Sequence, residues 1–275
     1  MVARIRAQTH RRLAAAVAGL ALALPCGAQD APAQAPFITT PSEVVARMLQ
    51  LARAGPEDFV IDLGSGDGRI VIAAAREHGA RALGIELDAK LVALARRRAR
   101  EAGVEQLASF EAGDALRADL SRASVVTIYL LPFLLDQLSP RLLTQLRPGS
   151  RVVTHAFGMT GWTPDRSERV RLSARHEGQG DESRIFLFVI PADLRGAWRA
   201  PGGWTLRIQQ NFQQVDVEAK RDGGSLEVSA ARLEGAALSF SGPGFSFDGR
   251  VSGATLAGTL RRDGAAAALA FERVP

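Results

Sequence analysis

The sequence predicts an α/β chain: a mostly parallel sheet of seven strands with helices on both faces, followed by a small antiparallel β-barrel or sandwich. Three observations carry this expectation. Short apolar stretches alternate with helical patterns from residue 42 to residue 156. Two further strands, within 169–190, are joined only by a polar, glycine-bearing loop. Beyond Pro191 the helical period vanishes in favour of short runs of alternating apolar and polar residues.

The first helix is expected to open at Thr40-Pro41-Ser42-Glu43. Threonine as N-cap, proline at the first helical position and glutamate three residues after the cap compose a capping box. Val44, Val45, Met48, Leu49 and Leu51 give the helix its apolar face, and Gly55-Pro56 stops it. Then follow a strand over 59–63, a helix over 69–78 closed by Gly79, a strand over 82–85 and a helix over 89–102 closed by Gly103. Strands over 107–110 and 125–130, a helix over 133–146 ended by Pro148-Gly149, and a strand over 151–156 complete the alternation. Such alternation requires right-handed crossovers and a parallel sheet covered on both faces. The strands over 169–174 and 184–190 form an antiparallel hairpin at its edge, where a dinucleotide-type sheet would continue with another helix.

Past Pro191, Trp204, Leu206, Ile208, Gln210 and Phe212 alternate with polar residues, as in a half-buried strand. Leu226/Val228, Leu238/Phe240, Phe245/Phe247, Leu256/Leu260 and Leu269/Phe271 repeat the pattern between glycine-bearing turns. This places an α/β domain over 37–191 and an all-β accessory domain over 192–275, with a protease-sensitive junction over 192–203.

The N-terminal residues differ in kind. Arg4, Arg6, Arg11 and Arg12 precede an apolar run over 13–24 and the small-residue stretch Pro25-Cys26-Gly27-Ala28. This describes a secretory signal peptide over 1–28, followed by an Ala/Pro/Gln linker over 29–36. The run is too short for a stable membrane span, which needs about 20 residues. Export to the periplasm is the expectation, with the cytoplasm as location if the leader is not processed. Cys26 is the single cysteine, so the mature chain would have no disulfide, no thiolate nucleophile and no cysteine metal site. All but two of the 34 basic residues are arginine, Lys90 and Lys220 being the exceptions. They are scattered, and the densest run, Arg96 to Arg98, lies on a predicted helix as a solvated face, so no nucleic-acid partner is expected.

The chemistry concentrates in Asp62-Leu63-Gly64-Ser65-Gly66-Asp67-Gly68-Arg69, between an apolar strand and a helix, with Glu86 ending the next strand. The glycines let the backbone turn sharply and approach a ligand at a helix N-terminus. A dinucleotide fingerprint would need its third glycine where Arg69 stands, and no Gly-Lys-Ser/Thr follows to make a P-loop. Asp62 suits a cationic ligand, one carrying an ammonium and a sulfonium, better than a pyrophosphate. Glu86 is placed to accept both hydroxyls of a ribose. Asp114 reads either as a partner for an adenine amino group or as a turn or N-cap aspartate. Tyr129 and Pro132 frame the end of the fourth strand, where the reacting group is expected. His155 and His176 read as strand histidines without an acid or serine partner in the pattern, and Trp162 as a pocket wall or a cap on the core.

Residues 37–190 resemble the small seven-β-strand protein-lysine methyltransferases, the family that includes the mitochondrial enzymes acting on the ADP/ATP carrier and the ATP synthase c subunit. The resemblance is carried by Thr39-Thr40-Pro41, by Asp62 to Val71, by Phe110 to Asp114 and by Asp119-Leu120-Ser121. It implies a Rossmann-like methyltransferase sheet and S-adenosylmethionine as cofactor. The cofactor would be held by Asp62, Gly64, Ser65, Gly66, Asp67, Gly68, Glu86 and Asp114, with Thr39 and Thr40 near its amino-acid end. The leader, the β domain and Tyr129-Leu-Leu-Pro132 depart from the family pattern and leave the acceptor open. A protein lysine or other amine comes first, a small molecule or lipid second, and a non-catalytic exported binding protein third. The β domain is expected to have a ligand or partner of its own.

Overall fold

The computed structural model describes residues 38–176 and 180–275; the expected leader over 1–28 and linker over 29–36 lie outside them. The first half runs α1 (Ser42–Leu51), β1 (Phe59–Leu63), α2 (Arg69–His78), β2 (Arg81–Glu86), α3 (Ala89–Glu101) and β3 (Ala108–Ala112). A 3-10 turn (Ala115–Arg117) leads to β4 (Val125–Ile128), α4 (Pro132–Gln145), β5 (Arg151–His155), β6 (Arg166–His176) and β7 (Gly180–Val189). These strands form one seven-stranded sheet in the order β3-β2-β1-β4-β5-β7-β6. Its first five strands are parallel, and β7 joins β5 antiparallel with β6 outside it.

Both faces of β1, β4 and β5 are buried, which is why they read as largely apolar runs. Val60, Val125 and Val153 face one core with α1, α2 and α3, whereas Ile61, Val126 and Val152 face the other with Leu135, Leu138 and Leu142 of α4. Helix α1 departs from expectation at its start. Val45 N bonds Pro41 O at 2.9 Å, so Pro41 rather than Thr40 caps the helix, and no side chain completes the cap. Thr40 Oγ1 lies instead 3.2 Å from His155 Nδ1, and Glu43 accepts from the Ser173 backbone and hydroxyl. Partners on β5 and β6 have displaced the local capping box.

The second half adds β8 (Gly196–Ala200), β9 (Trp204–Asn211), β10 (Gln214–Arg221), β11 (Gly224–Leu226), β12 (Ala230–Glu234), β13 (Ala237–Gly242), β14 (Phe245–Ser252), β15 (Thr255–Arg262) and β16 (Ala265–Arg273). They make a single curled antiparallel sheet, a half-barrel rather than a sandwich, in the order β11-β10-β9-β8-β16-β15-β14-β13-β12. Its concave side holds Trp198, Leu206, Phe240, Phe247, Leu256 and Phe271. Asp222-Gly223 and Asp263-Gly264 form two-residue turns with positive φ at both positions, the shape that matches strand twist in tight hairpins.

Strand β7 ends at Val189 and β8 begins at Gly196, where the sequence pattern changes. The first part of the expected 192–203 junction is packed, while Pro201, Gly202 and Gly203 form an exposed turn. Ala192 and Leu194 are buried, Ala192 N bonds Gly235 O at 2.8 Å, and Leu194 N bonds Gln210 Oε1 at 2.8 Å. Limited proteolysis of the native protein is therefore expected to spare residues 190–196. Early cleavage there, read by mass spectrometry, would contradict this packing.

Candidate active site

The turn between β1 and α2 places Gly64, Gly66 and Gly68 at φ 75°, 53° and 83°. Gly64 N and Ser65 N both donate to Ile85 O, at 2.9 and 3.0 Å, which lashes the turn to β2. Two glycines are needed for packing. A Cβ on Gly68 would fall 2.7 Å from the Phe110 ring and 2.8 Å from Ala95, and one on Gly84 would fall 2.5 Å from Ser65 Oγ.

Asp62, next to last in β1, has 2% of its surface exposed and one neutral partner, Thr127 Oγ1, which donates at 2.7 Å. Burial pushes its carboxyl up to about 7, the Thr127 bond opposes this, and repulsion from Glu86 and Asp67 adds to it. A buried carboxyl so poised gains most from a cation. Asp67 is in the opposite condition. Arg69 donates to it from Nε at 3.0 Å and Nη2 at 2.7 Å, and Arg98 pairs with it too. Burial alone would raise its pKa, but the two guanidiniums outweigh that and hold it below the usual value. Its carboxylate is thus taken up within the fold.

Arg69, the residue standing where a dinucleotide motif has glycine, has a structural role the sequence did not disclose. Its Nη1 donates to Thr40 O at 2.8 Å, clamping the segment before α1 onto the glycine turn. His176 Nε2, 2.7 Å from Thr39 O, holds the same segment from β6. The structure thereby brings Thr39 and Thr40 to the glycine turn. Glu86 Oε2 accepts from Gly66 N at 2.8 Å and Oε1 from Asp88 N at 2.9 Å. This fixes the carboxylate and leaves each oxygen further acceptor capacity. Asp114, just beyond β3, caps the 3-10 turn through Oδ1, which accepts from Leu116 N at 2.9 Å; Oδ2 stays outside that cap.

Beyond β4, Tyr129 packs against His155, the last residue of β5, with ring centroids 4.0 Å apart and planes tilted by 43°; the His176 ring lies 5.9 Å from that of His155. His155 is fully buried and satisfied, but it does have a serine partner: Nε2 is 2.6 Å from Ser183 Oγ on β7. That partner and Thr40 are remote in sequence, and no local signal announces them. Pro132 begins α4 at the same end of the sheet. Trp162 is buried between Phe188 and Phe212, so it caps the core instead of walling a pocket. Among the described residues no cluster of His, Cys, Asp or Glu is placed to hold a metal. No described helix is long and apolar enough to cross a membrane.

A family profile, the ANTKMT methyltransferase domain, matches residues 62–166. A protein-lysine N-methyltransferase of Saccharolobus islandicus is 37% identical over 156 residues, which cover 56% of this chain and 93% of that enzyme. The chain belongs to the ANTKMT family of S-adenosylmethionine-dependent methyltransferases. A Mus musculus enzyme, the lysine N-methyltransferase of the ATP synthase c subunit, is 40% identical over 132 residues, 47% of this chain and 52% of that protein's length. Among solved structures, an RNA methyltransferase from Salinibacter ruber in complex with S-adenosyl-L-homocysteine is 50% identical, with a TM-score of 0.52 over 57% of this chain and 96% of that one.

The cofactor of this methyltransferase is S-adenosylmethionine. The strand ends fit it. Asp62 lacks a cationic partner, and Ser65 Oγ is buried with no hydrogen-bond partner among the described residues. Glu86→Ala is expected to weaken S-adenosylhomocysteine binding by about 10- to 150-fold, the worth of about 1.5–3 kcal/mol in charged hydrogen bonds. Unchanged affinity in calorimetry would remove Glu86 from the site.

Proposed function

We propose that this methyltransferase methylates a lysine side chain of a polypeptide. The observation that carries this reading is the match along 93% of an archaeal protein-lysine N-methyltransferase at 37% identity. The site supports it. Asp62, Gly64, Ser65, Gly66, Glu86 and Asp114 would hold the cofactor, with Asp62 taking its ammonium, Glu86 its ribose and Asp114 its adenine. Thr39 and Thr40 would line its amino-acid end, and Gly68 permits the turn while Asp67 keeps it rigid.

When bound, the cofactor supplies a methyl group already activated by a sulfonium. The chain therefore provides alignment and a dry surface. A lysine amine, with a pKa near 10.4, must shed a proton before it can attack. Tyr129, its ring packed on the buried His155, lies where a desolvated amine loses its proton more readily, so a dedicated carboxylate base is not required.

The test uses methyl-labelled S-adenosylmethionine with two acceptors, the c subunit of ATP synthase and total RNA. Methyllysine in the protein hydrolysate is the expected product. Label in RNA alone would transfer the reading to a nucleic-acid acceptor, and cofactor binding without any transfer would indicate a binding protein.

A further inference from the structure

We propose that the C-terminal half-barrel positions the methyl acceptor: Phe212 and Gln213, at its β9–β10 turn, brace the β5–β6 loop, whose Phe157 meets the acceptor. The proposal rests on reading the carboxyl ends of β4 and β5 as the methyl-transfer site.

The loop leaves β5 at His155, against Tyr129. It begins with an unusually tight turn. Phe157 N bonds His155 O at 2.8 Å around Ala156, whose φ is 67°, and Thr154 Oγ1 donates to Phe157 O. Alanine adopts that conformation only where its surroundings enforce it. The turn leaves Phe157 36% exposed at the exit of β5, and Phe133, in the first turn of the helix α4 that follows the neighbouring β4, is 52% exposed. Large exposed aromatics just beyond two adjacent strands are what an incoming side chain and its backbone would contact.

The loop's far half is held by the half-barrel. Trp162 stacks on Phe212 with centroids 4.8 Å apart and planes 7° from parallel. Trp162 Nε1 donates to Gln213 Oε1 at 2.9 Å, and Gln213 Nε2 returns a bond to Thr163 O. Thr160 N reaches Asp136 of α4 at 3.3 Å. Phe212 and Gln213 are the whole of the two-residue turn between β9 and β10, and Phe212 sits at φ 52°. Such a turn favours glycine, asparagine or aspartate, so its own geometry does not account for a phenylalanine. The stack on Trp162 does.

A tether alone would not need this contact. At the opposite end of β5 the half-barrel already touches the α/β half, where a Cβ on Gly235 would fall 2.9 Å from Gly149 Cα and Ala192 N bonds Gly235 O at 2.8 Å. The Phe212 contact instead holds the loop itself: Trp162 also packs on Phe188, in register with Val152 of β5, and the chain from Phe157 at the strand's carboxyl end runs to that anchor.

Phe212→Gly removes the ring in a conformation glycine favours, and Phe212→Tyr keeps the stack. In the glycine variant, amide hydrogen exchange over 157–161 should quicken at least fivefold. The KM for the c-subunit acceptor should rise about tenfold, with S-adenosylhomocysteine affinity kept within twofold. The tyrosine variant should restore both. Unchanged exchange, or an unchanged acceptor KM beside a lowered melting temperature, would show a tether only and overturn the proposal. Wild-type protein that transfers no methyl group would sink the lysine reading instead, while the exchange measurement still decides the brace.

Discussion

Asp62→Asn should weaken S-adenosylhomocysteine binding by more than about 100-fold while raising the stability of the unliganded protein at pH 8. The substitution keeps the shape and the Thr127 contact but removes the charge that would face the cofactor's ammonium. Leaving a buried charge unpaired typically costs about 3–5 kcal/mol, which is why the loss is large. The pH dependence follows from the same burial. The Asp62 carboxyl is raised from 3.8 to about 7 in the unliganded fold. Its stabilising share is thus complete below about pH 4 and lost as pH rises through 7. Binding a cation requires the ionised form, so below pH 7 it must expel a proton. Affinity should fall about tenfold for each pH unit below 7 and level off above it. Calorimetry between pH 5.5 and 8 checks both claims; a flat profile in the wild type, or the same slope in Asp62→Asn, would contradict them.

Gly68→Ala should unfold the glycine turn from within. Alanine at φ 83° is strained, and its Cβ would fall 2.7 Å from the Phe110 ring and 2.8 Å from Ala95, both buried. Overpacking and left-handed strain together cost about 2–5 kcal/mol. A melting temperature lower by about 5–15 °C is the expected reading. A variant melting within a degree of wild type would show that α2 and α3 are not packed through this glycine.

Local chemistry made much of this legible. Strand–helix alternation announced the parallel sheet because both faces of β1, β4 and β5 are buried and their sequences carry no polar face. The turn at Gly64 to Gly68 could be located because three residues at positive φ all but require glycine. What stayed hidden depends on distant partners. Thr40 gives up its capping position for His155, His155 finds Ser183 on β7, and Asp67 finds Arg98 on α3. No short window of sequence encodes such pairs. In the half-barrel, β8 carries one large apolar residue, Trp198, and β10 alternates Val215, Val217 and Ala219 with charges, so their patterns were too weak to separate from turns. The run 204–213 read as one strand because Phe212 and Gln213 continue its alternation, yet they form a turn fixed by Trp162.

All of the chemistry assigned to this chain depends on the carboxyl ends of β1 and β2 binding S-adenosylmethionine and not a dinucleotide. Calorimetric titration of the purified protein at pH 8, first with S-adenosylhomocysteine and then with NADH, tests it most directly. Saturable one-site binding of S-adenosylhomocysteine and no heat with NADH is the predicted result. Saturable NADH binding, with none of S-adenosylhomocysteine, would contradict it.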